Sequence, residues 1–457
     1  MSESPAPKPA APTFESGARA MNEALQTKGV EAYFADASDP LHKAFIAKAA
    51  VHSGPGGRPL IGEEAEKAID SHYDTPRSGR SLAYIHVPFC ETRCLYCMFY
   101  QNPWKEEATT EYAKQLVKEL ELWSDRAAQN AAPINALYFG GGTPSLLRAG
   151  QIGSIMKCLE ARFDIADDAE ITLEANPDSV SRQYIRELAA LGVNRVSLGI
   201  QSFDDGMLRF LGRVHTADEG KRAVQAVWDG GVSNISIDLM YGLPGQTEEM
   251  VCADMEELAS LPVCHASIYS LIVEEHTPLW DDLRNGRCLL PNDEETAQMG
   301  QAVHRAMHRL GFSHYEISSY AKDGRLSRHN CKYWQYEPYV GFGPSAHSFY
   351  HDERWANIAN IPLYIRRAGR EDTAAERIAI DRSRAVEDYC FLALRMRKGI
   401  DYADFQRRFR CSVEDEFADA LHRLLAQKLL EKTPVGCRMT ALGRDYGNYV
   451  FSQFIRE

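Results

Sequence analysis

Tyr84-Ile-His-Val-Pro-Phe-Cys90-Glu-Thr-Arg-Cys94-Leu-Tyr96-Cys97-Met-Phe99-Tyr100-Gln101-Asn102-Pro-Trp104 is an apolar run that breaks into a loop carrying three cysteines. The run from residue 82 to 87 suits a buried strand, so the cysteines fall on a loop at the carboxyl edge of a sheet. Three thiols spaced Cys-x3-Cys-x2-Cys let one loop wrap a metal cluster corner by corner. A four-iron, four-sulfur cluster normally takes four thiolates, so three leave one iron open. A zinc site would want a fourth Cys or His at matching spacing, and the nearby His86 sits within the strand. A chance cluster of buried cysteines is the second alternative reading, and a disulfide, the third, is disfavoured in a reducing compartment.

A second motif lies downstream. Leu137-Tyr-Phe-Gly140-Gly141-Gly142-Thr143-Pro144-Ser145 is a strand followed by three glycines. Glycines allow close backbone approach, and the exposed N–H groups of such a turn can bind a carboxylate. Further strand ends carry polar residues. Glu174 precedes Ala-Asn176-Pro177, Gln201 follows the run 195–200, and Asp238 sits inside Ile-Ser-Ile-Asp-Leu-Met-Tyr-Gly. A buried carboxylate is costly unless paired, so Glu174 and Asp238 each require a partner. Arg213, after Leu211-Gly212, suits a ligand carboxylate or a helix end.

Around these motifs the chain is rhythmic. Apolar runs at 82–87, 136–139, 171–175, 195–200, 235–241, 267–271 and 315–319 read as strands. Amphipathic windows at 110–128, 181–191, 217–230, 248–261 and 293–310 read as helices between them. This alternation implies an α/β fold with a parallel sheet and right-handed crossovers, closed into a partial (β/α)6 barrel. In barrels the functional residues gather at the carboxyl ends of the strands. After residue 375 the rhythm changes to helices at 382–397 and 413–430, then a strand-like piece and a helix over 432–447. The expected organisation is an N-terminal extension (1–75), partly disordered and helical at 18–34 and 41–51, a barrel domain (76–370), and a small, mainly helical C-terminal domain (371–457).

Composition narrows the function class. Among 457 residues, 44% are hydrophobic and 25% charged, which is ordinary for a globular protein. The formal net charge of −13 argues against a nucleic-acid partner, whose footprint would be basic. No apolar run approaches the length of a membrane span, and the N-terminus lacks the pattern of a secretory signal, so a cytoplasmic location is expected. The other eight cysteines (158, 252, 264, 288, 331, 390, 411, 437) are scattered and read as small apolar residues.

The cysteine spacing resembles the signature of radical S-adenosylmethionine (SAM) enzymes. Six segments extend the likeness: Tyr-Ile-His-Val-Pro-Phe-Cys, Gly-Gly-Gly-Thr-Pro-Ser, Glu-Ala-Asn-Pro, Gly-Ile-Gln-Ser-Phe, Gly-Arg-Val-His and Asp-Leu-Met-Tyr-Gly-Leu-Pro-Gly. In this order they look like the oxygen-independent coproporphyrinogen oxidase superfamily, over about residues 80–350. Coproporphyrinogen III dehydrogenases carry a further cysteine where this chain has Phe99, and haem chaperones usually carry Asp-Phe where it has Met98-Phe99. Phe99-Tyr-Gln-Asn-Pro-Trp is similar to the anaerobic haem-degrading branch, the anaerobilin synthases. The resemblance therefore implies a methyltransferase that opens the porphyrin and releases iron, with the dehydrogenase and a non-catalytic haem chaperone as alternatives.

By the same resemblance Cys90, Cys94 and Cys97 ligate the cluster. Tyr84, Tyr96, Gly141 and Glu174 contact the SAM on it. Gly142, Thr143, Gln201, Arg213 and Asp238 match positions that hold a second SAM, and His347 falls where the family closes over the first. The cluster would be reduced by a low-potential donor such as flavodoxin or a reductase, with haem as substrate. His265, His276, His314, His329, Cys331 and His347 are candidate iron ligands. The aromatic groups of His329-Asn330-Cys-Lys-Tyr333-Trp334 and of residues 336–339 suit porphyrin stacking or core packing, and Arg325, Arg328 and Lys332 suit propionates.

Overall fold

The computed structural model describes residues 58–59, 81–99, 102–127, 133–350, 352–370 and 372–456. The expected helices at 18–34 and 41–51 lie outside the described residues, and of the segment 1–75 only Arg58 and Pro59 are described.

Among the described residues thirteen strands form one sheet in the order β1-β15-β14-β13-β12-β2-β5-β6-β7-β8-β9-β11-β10. Its centre is parallel: β2 (Ser81–Val87), β5 (Ile134–Gly141), β6 (Ile165–Ala175), β7 (Arg195–Gln201), β8 (Asn234–Tyr241) and β9 (His265–Ser270), with β12 (Tyr339–Phe342) alongside β2. Helices α1 (Glu106–Ala127), α2 (Ala149–Arg162), α3 (Arg182–Ala190), α4 (Asp205–Leu211), α5 (Ala217–Asp229), α6 (Glu248–Ala259), α7 (Pro278–Arg284) and α8 (Asp293–Arg309) lie along the connections. Their starts are chemically marked. Ser181 caps α3, Thr247 caps α6, and α5 and α8 open with capping boxes, Thr216/Glu219 and Asn292/Glu295.

The strands alternate strictly. In β6 the side chains of Ile171 and Leu173 join the core shared with Ile155, Ile185 and Leu188, while Glu170, Thr172 and Glu174 face the other way and are also shielded. The same inward face carries Arg195 and Ser197 on β7, Ser236 and Asp238 on β8, and His265 on β9; Ser197 bonds Asp238 and Ser236 bonds His265. A packed barrel interior is usually filled by branched apolar residues. This one is polar along its length.

Two expectations about the sheet need correction. The run 315–319 is not one strand: it reverses, with β10 (Ser313–His314) and β11 (Ser319–Ala321) antiparallel and Tyr315 N–H donating to Ser319 O at 3.2 Å. The sheet is also mixed rather than parallel. Strands β13 (His347–Tyr350), β14 (Glu353–Asn357) and β15 (Ala374–Ala379) extend it antiparallel beyond β12, and β1 (Arg58–Pro59) ends that edge. These strands are short and interrupted by turns, such as Gly343 at φ 98° and Asp352 at φ 58°, so they carry little periodic signal.

Helix α9 (Arg328–Trp334) closes the end of the barrel opposite the cysteines, since it follows β11 and precedes β12 at the amino-terminal edge of the parallel strands. After α10 (Ile361–Arg367) and β15, helices α11 (Arg382–Arg395), α12 (Tyr402–Phe409) and α13 (Val413–Ala426) surround a second core with Tyr389, Leu394, Phe405, Leu424 and Phe451, to which Tyr336 and Phe349 also belong. A small sheet β16-β18-β17 (Ile400–Asp401, Gly436–Met439, Leu430–Thr433) flanks it. No helix among the described residues is long and apolar enough to cross a membrane.

Candidate functional site

The cysteine loop is held to the barrel by backbone. β3 (Phe89–Cys90) pairs in parallel with β4 (Asn102–Pro103), and Trp104 N–H donates to Cys90 O at 2.9 Å. Leu95 N–H donates to Leu211 O, and Leu279 N–H to Leu95 O, so the ends of α4 and α7 clasp the loop. Gly142 and Thr143 donate to Val87 O and Phe89 O at 2.8 and 2.7 Å. A Cβ on Gly142 would stand 2.6 Å from Phe89 O, so the glycine is required by close approach.

All three cysteines are half-buried, and none forms a disulfide among the described residues. A closed chain of polar contacts joins two of them. Thr143 Oγ1 lies 3.6 Å from Cys90 Sγ, Asn176 Nδ2 donates to Thr143 Oγ1 at 3.3 Å, Arg213 Nη2 donates to Asn176 Oδ1 at 2.8 Å, and Arg213 Nη1 lies 3.4 Å from Cys94 Sγ. Burial pushes the Cys90 thiol up to about 11, with Cys97 and Cys94 adding to the rise. Three thiolates on one loop therefore need a positive centre among them, which is what a cluster's irons supply.

The remaining sequence-predicted residues gather around this loop. Glu174 accepts from Tyr138 Oη at 2.7 Å and from Gly141 N–H at 3.2 Å; burial, with Asp238 beside it, raises its pKa to about 7. Asp238 accepts from Ser197 Oγ, and burial lifts it to about 6 against the pull of Arg195. Gln201, in a left-handed conformation at φ 73°, accepts from Tyr269 Oη at 3.1 Å. Tyr84 shares a hydrogen bond with His86 Nδ1 at 3.0 Å and stacks on Tyr138. Tyr96 lies within the electrostatic reach of Cys94, Arg213 and Asp238. Arg213 also donates to Gly199 O at 2.7 Å, and its buried Nε has no partner. A guanidinium N–H without a partner, a glycine cradle and a carboxylate with no direct ion pair on one rim form a donor and acceptor set that suits a zwitterionic, cationic ligand such as SAM.

His347 stands apart from this set, on β13 opposite Ala356, within charge range of His86. Of the candidate iron ligands, His265 has both ring nitrogens engaged, by Ser236 Oγ and Tyr315 Oη, each at 2.8 Å. His314 bonds Ile317 O and stacks on Tyr320. His329 packs against Tyr138, and its helix neighbour Cys331 has its thiol pushed up to about 12 by burial. His276 is exposed, at φ 65°, its carbonyl accepting from Arg93. Trp334 and Tyr339 pack with Tyr333, with Arg395 over Trp334; Arg328 pairs with Asp168. Sequence reasoning missed Asn176 and Tyr138 as site residues. Both were signalled: Asn176 stands two residues beyond Glu174, just past the end of β6, and Tyr138 two before Gly140, on the same face of β5.

Family models match in two places: the radical SAM superfamily over residues 84–258 and the HemN C-terminal domain over residues 381–446. A protein named heme chaperone HemW from Lactococcus lactis is 34% identical over 373 residues, covering 82% of this chain and 97% of its own. The chain belongs to the HemN-like radical SAM superfamily. A second HemW, from Bacillus subtilis, is 34% identical over 383 residues and is covered to 99%; that of Escherichia coli is 36% identical over 266 residues, with 58% of this chain and 68% of its own covered. The fold is that of coproporphyrinogen III oxidase (HemN) from E. coli, at a TM-score of 0.74 and 22% identity over 89% of this chain and 98% of that one. The α/β radical SAM architecture with a helical C-terminal region is thus as expected.

The expected activity is not. The HemW relatives just named are heme chaperones, which overturns the assignment to a haem-degrading methyltransferase. The physical reason is local. The branch rests on Met98 and on Phe99-Tyr-Gln-Asn-Pro-Trp, a loop in which Met98, Phe99 and Trp104 are exposed, and exposed loop positions vary freely between siblings on one fold.

Proposed function

We propose that this protein is a haem chaperone that carries a four-iron, four-sulfur cluster and SAM and binds haem without degrading it. The observation that supports this reading most is the near-complete coverage of two HemW proteins at 34% identity. In it the barrel, residues 76–370, holds the cluster and SAM, and residues 371–457 form the C-terminal module.

Cys90, Cys94 and Cys97 hold the cluster, which when bound offers the methionine end of SAM an open iron position. Thr143 and Arg213 place hydrogen-bond donors beside two of the thiolates and so favour the ionised sulfurs. Glu174 and the Gly141 turn receive the ammonium and carboxylate groups of SAM, and Tyr84 and Tyr96 wall them from water. Gln201, Asp238 and the free Nε of Arg213 face the space above Gly142 and Thr143, where a second SAM fits the polar set.

The test is anaerobic incubation of the reconstituted protein with haem, SAM and reductant. A persistent Soret band, with haem passing to an acceptor apoprotein, supports the proposal. Loss of the Soret band with a linear tetrapyrrole product rejects it.

A further inference from the structure

Strand β6 carries three inward polar residues, and only the last, Glu174, belongs to the rim described above. Glu170 lies deeper, 6% exposed, and its Oε1 accepts the backbone N–H of Arg328 at 2.8 Å; the N–H of His329 also bonds this carboxylate. Both donors open α9. Asp168, two residues earlier on the same strand, pairs with the Arg328 guanidinium at 3.3 Å. One strand therefore grips α9 twice and the Gly141 turn once.

The grip fixes a ring. The imidazole of His329 lies 4.4 Å from the ring of Tyr138 and 5.8 Å from that of Tyr84, centroid to centroid. Tyr138 is the hydrogen-bond donor to Glu174, which in turn holds Gly141 N–H. Between Glu170 and the rim sits Arg195, 1% exposed, whose charge faces Glu170, Asp238 and Glu174. It stands beside Thr172 in the sheet register, and its Nε and Nη1, like Thr172 Oγ1 and His329 Nδ1, have no hydrogen-bond partner. A buried guanidinium without a full set of acceptors is costly. Burial raises the Glu170 pKa, and Arg195 opposes that rise together with the two backbone N–H groups that the carboxylate holds.

We infer that Glu170, braced by Arg195, is a positioning residue for SAM: it seats α9 so that His329 backs the Tyr84–Tyr138 wall and fixes the Tyr138–Glu174–Gly141 contacts. The floor of the barrel and its rim are then one mechanical unit, joined through a single ring. This inference rests on the reading of the rim as a SAM site.

The test measures SAM affinity of the reconstituted, cluster-loaded full chain, together with the change that SAM produces in the electron paramagnetic resonance spectrum of the reduced cluster. Glu170→Ala should weaken SAM about tenfold and broaden that spectral change, with iron content and far-ultraviolet circular dichroism unchanged. His329→Ala should do the same, and the double variant should be no worse than either alone, because both act on one wall. Glu170→Gln, which keeps the acceptor oxygen, should recover most of the affinity. If Glu170→Ala misfolds, His329→Ala and Glu170→Gln carry the test. Wild-type affinity in His329→Ala, or additive losses in the double variant, overturns the inference. A wild-type protein that loads its cluster but binds no SAM overturns the reading beneath it instead.

Discussion

The barrel rim and the C-terminal helices use the same charged residues to opposite ends. At the rim, Glu174 and Asp238 are surrounded by hydroxyls, a backbone N–H and each other, and burial holds them up at about 7 and about 6. In the C-terminal region Glu416 is clamped between Arg382 at 2.7 Å and Arg456 at 2.5 Å, with Cys411 donating as well, and is driven down to about 2. Asp404 is likewise paired with Arg407 and Arg408. A scaffold completes its charges internally. A rim whose carboxylates feel Arg195 only at a distance, with no direct ion pair, and whose Arg213 Nε has no acceptor suits a ligand that supplies both.

The sharpest way to break the contrast is to remove the ligand's anchor. Cys94→Ala should abolish the broad iron–sulfur absorbance of the reconstituted protein, and with it the binding of SAM to the cluster, while the thermal transition of the C-terminal helices stays in place. Absorbance, iron content and equilibrium dialysis with SAM read this out. Glu174→Gln comes next. It preserves shape but cannot offer a full negative charge, and hydrogen bonds to charged groups contribute about 2 kcal/mol, so SAM affinity should fall about thirtyfold with the cluster intact. A variant that binds SAM like the wild type would separate Glu174 from the site.

Much of the rim was readable in the sequence because strand ends display their inward face at fixed spacing. Glu174, Gln201 and Asp238 are polar where the local run is apolar, and the three glycines of 140–142 mark an approach that Gly142 in fact requires. Glu170 and Arg195 were not readable. In a strand, a polar residue at alternate positions signals a face turned to water, and nothing local distinguishes a barrel lumen from solvent. The antiparallel flank of the sheet was hidden for a different reason: β13 to β15 are four to six residues long, and their partners are one another, a tertiary fact. The branch of the superfamily was hidden because Met98 and Phe99 touch solvent rather than the cofactor-binding residues.

Proton linkage sharpens the comparison further. Glu174 and Asp238 sit above their ordinary values of 4.5 and 3.8, so the unfolded chain releases their protons first. Their contribution to stability is full below those ordinary values and is lost as pH rises through about 6 and 7. Glu416 behaves in reverse: its contribution is full above 4.5 and is lost as pH falls toward 2. Hydrogen exchange of the SAM-free protein should therefore show the barrel rim loosening between about pH 4.5 and 7, with the C-terminal helices unchanged over that range and loosening only in acid. SAM affinity should rise through about pH 7, because its ammonium group prefers the ionised Glu174. Parallel behaviour of the two regions would remove the distinction.

The smallest expected effect is Glu416→Gln. Its partners are half-exposed, Arg382 by 54% and Arg456 by 37% of their side-chain surface, so solvent screens both ion pairs. Exposed pairs of this kind contribute at most about 1 kcal/mol, and the Gln amide keeps part of the geometry. The variant should lower the thermal midpoint slightly, flatten the acid limb of the pH–stability curve, and leave cluster content and SAM affinity at wild-type values. That last outcome decides the comparison from the scaffold side. If neutralising a fully paired carboxylate in the C-terminal region altered SAM binding as neutralising Glu174 should, charge completion would not distinguish scaffold from site in this molecule.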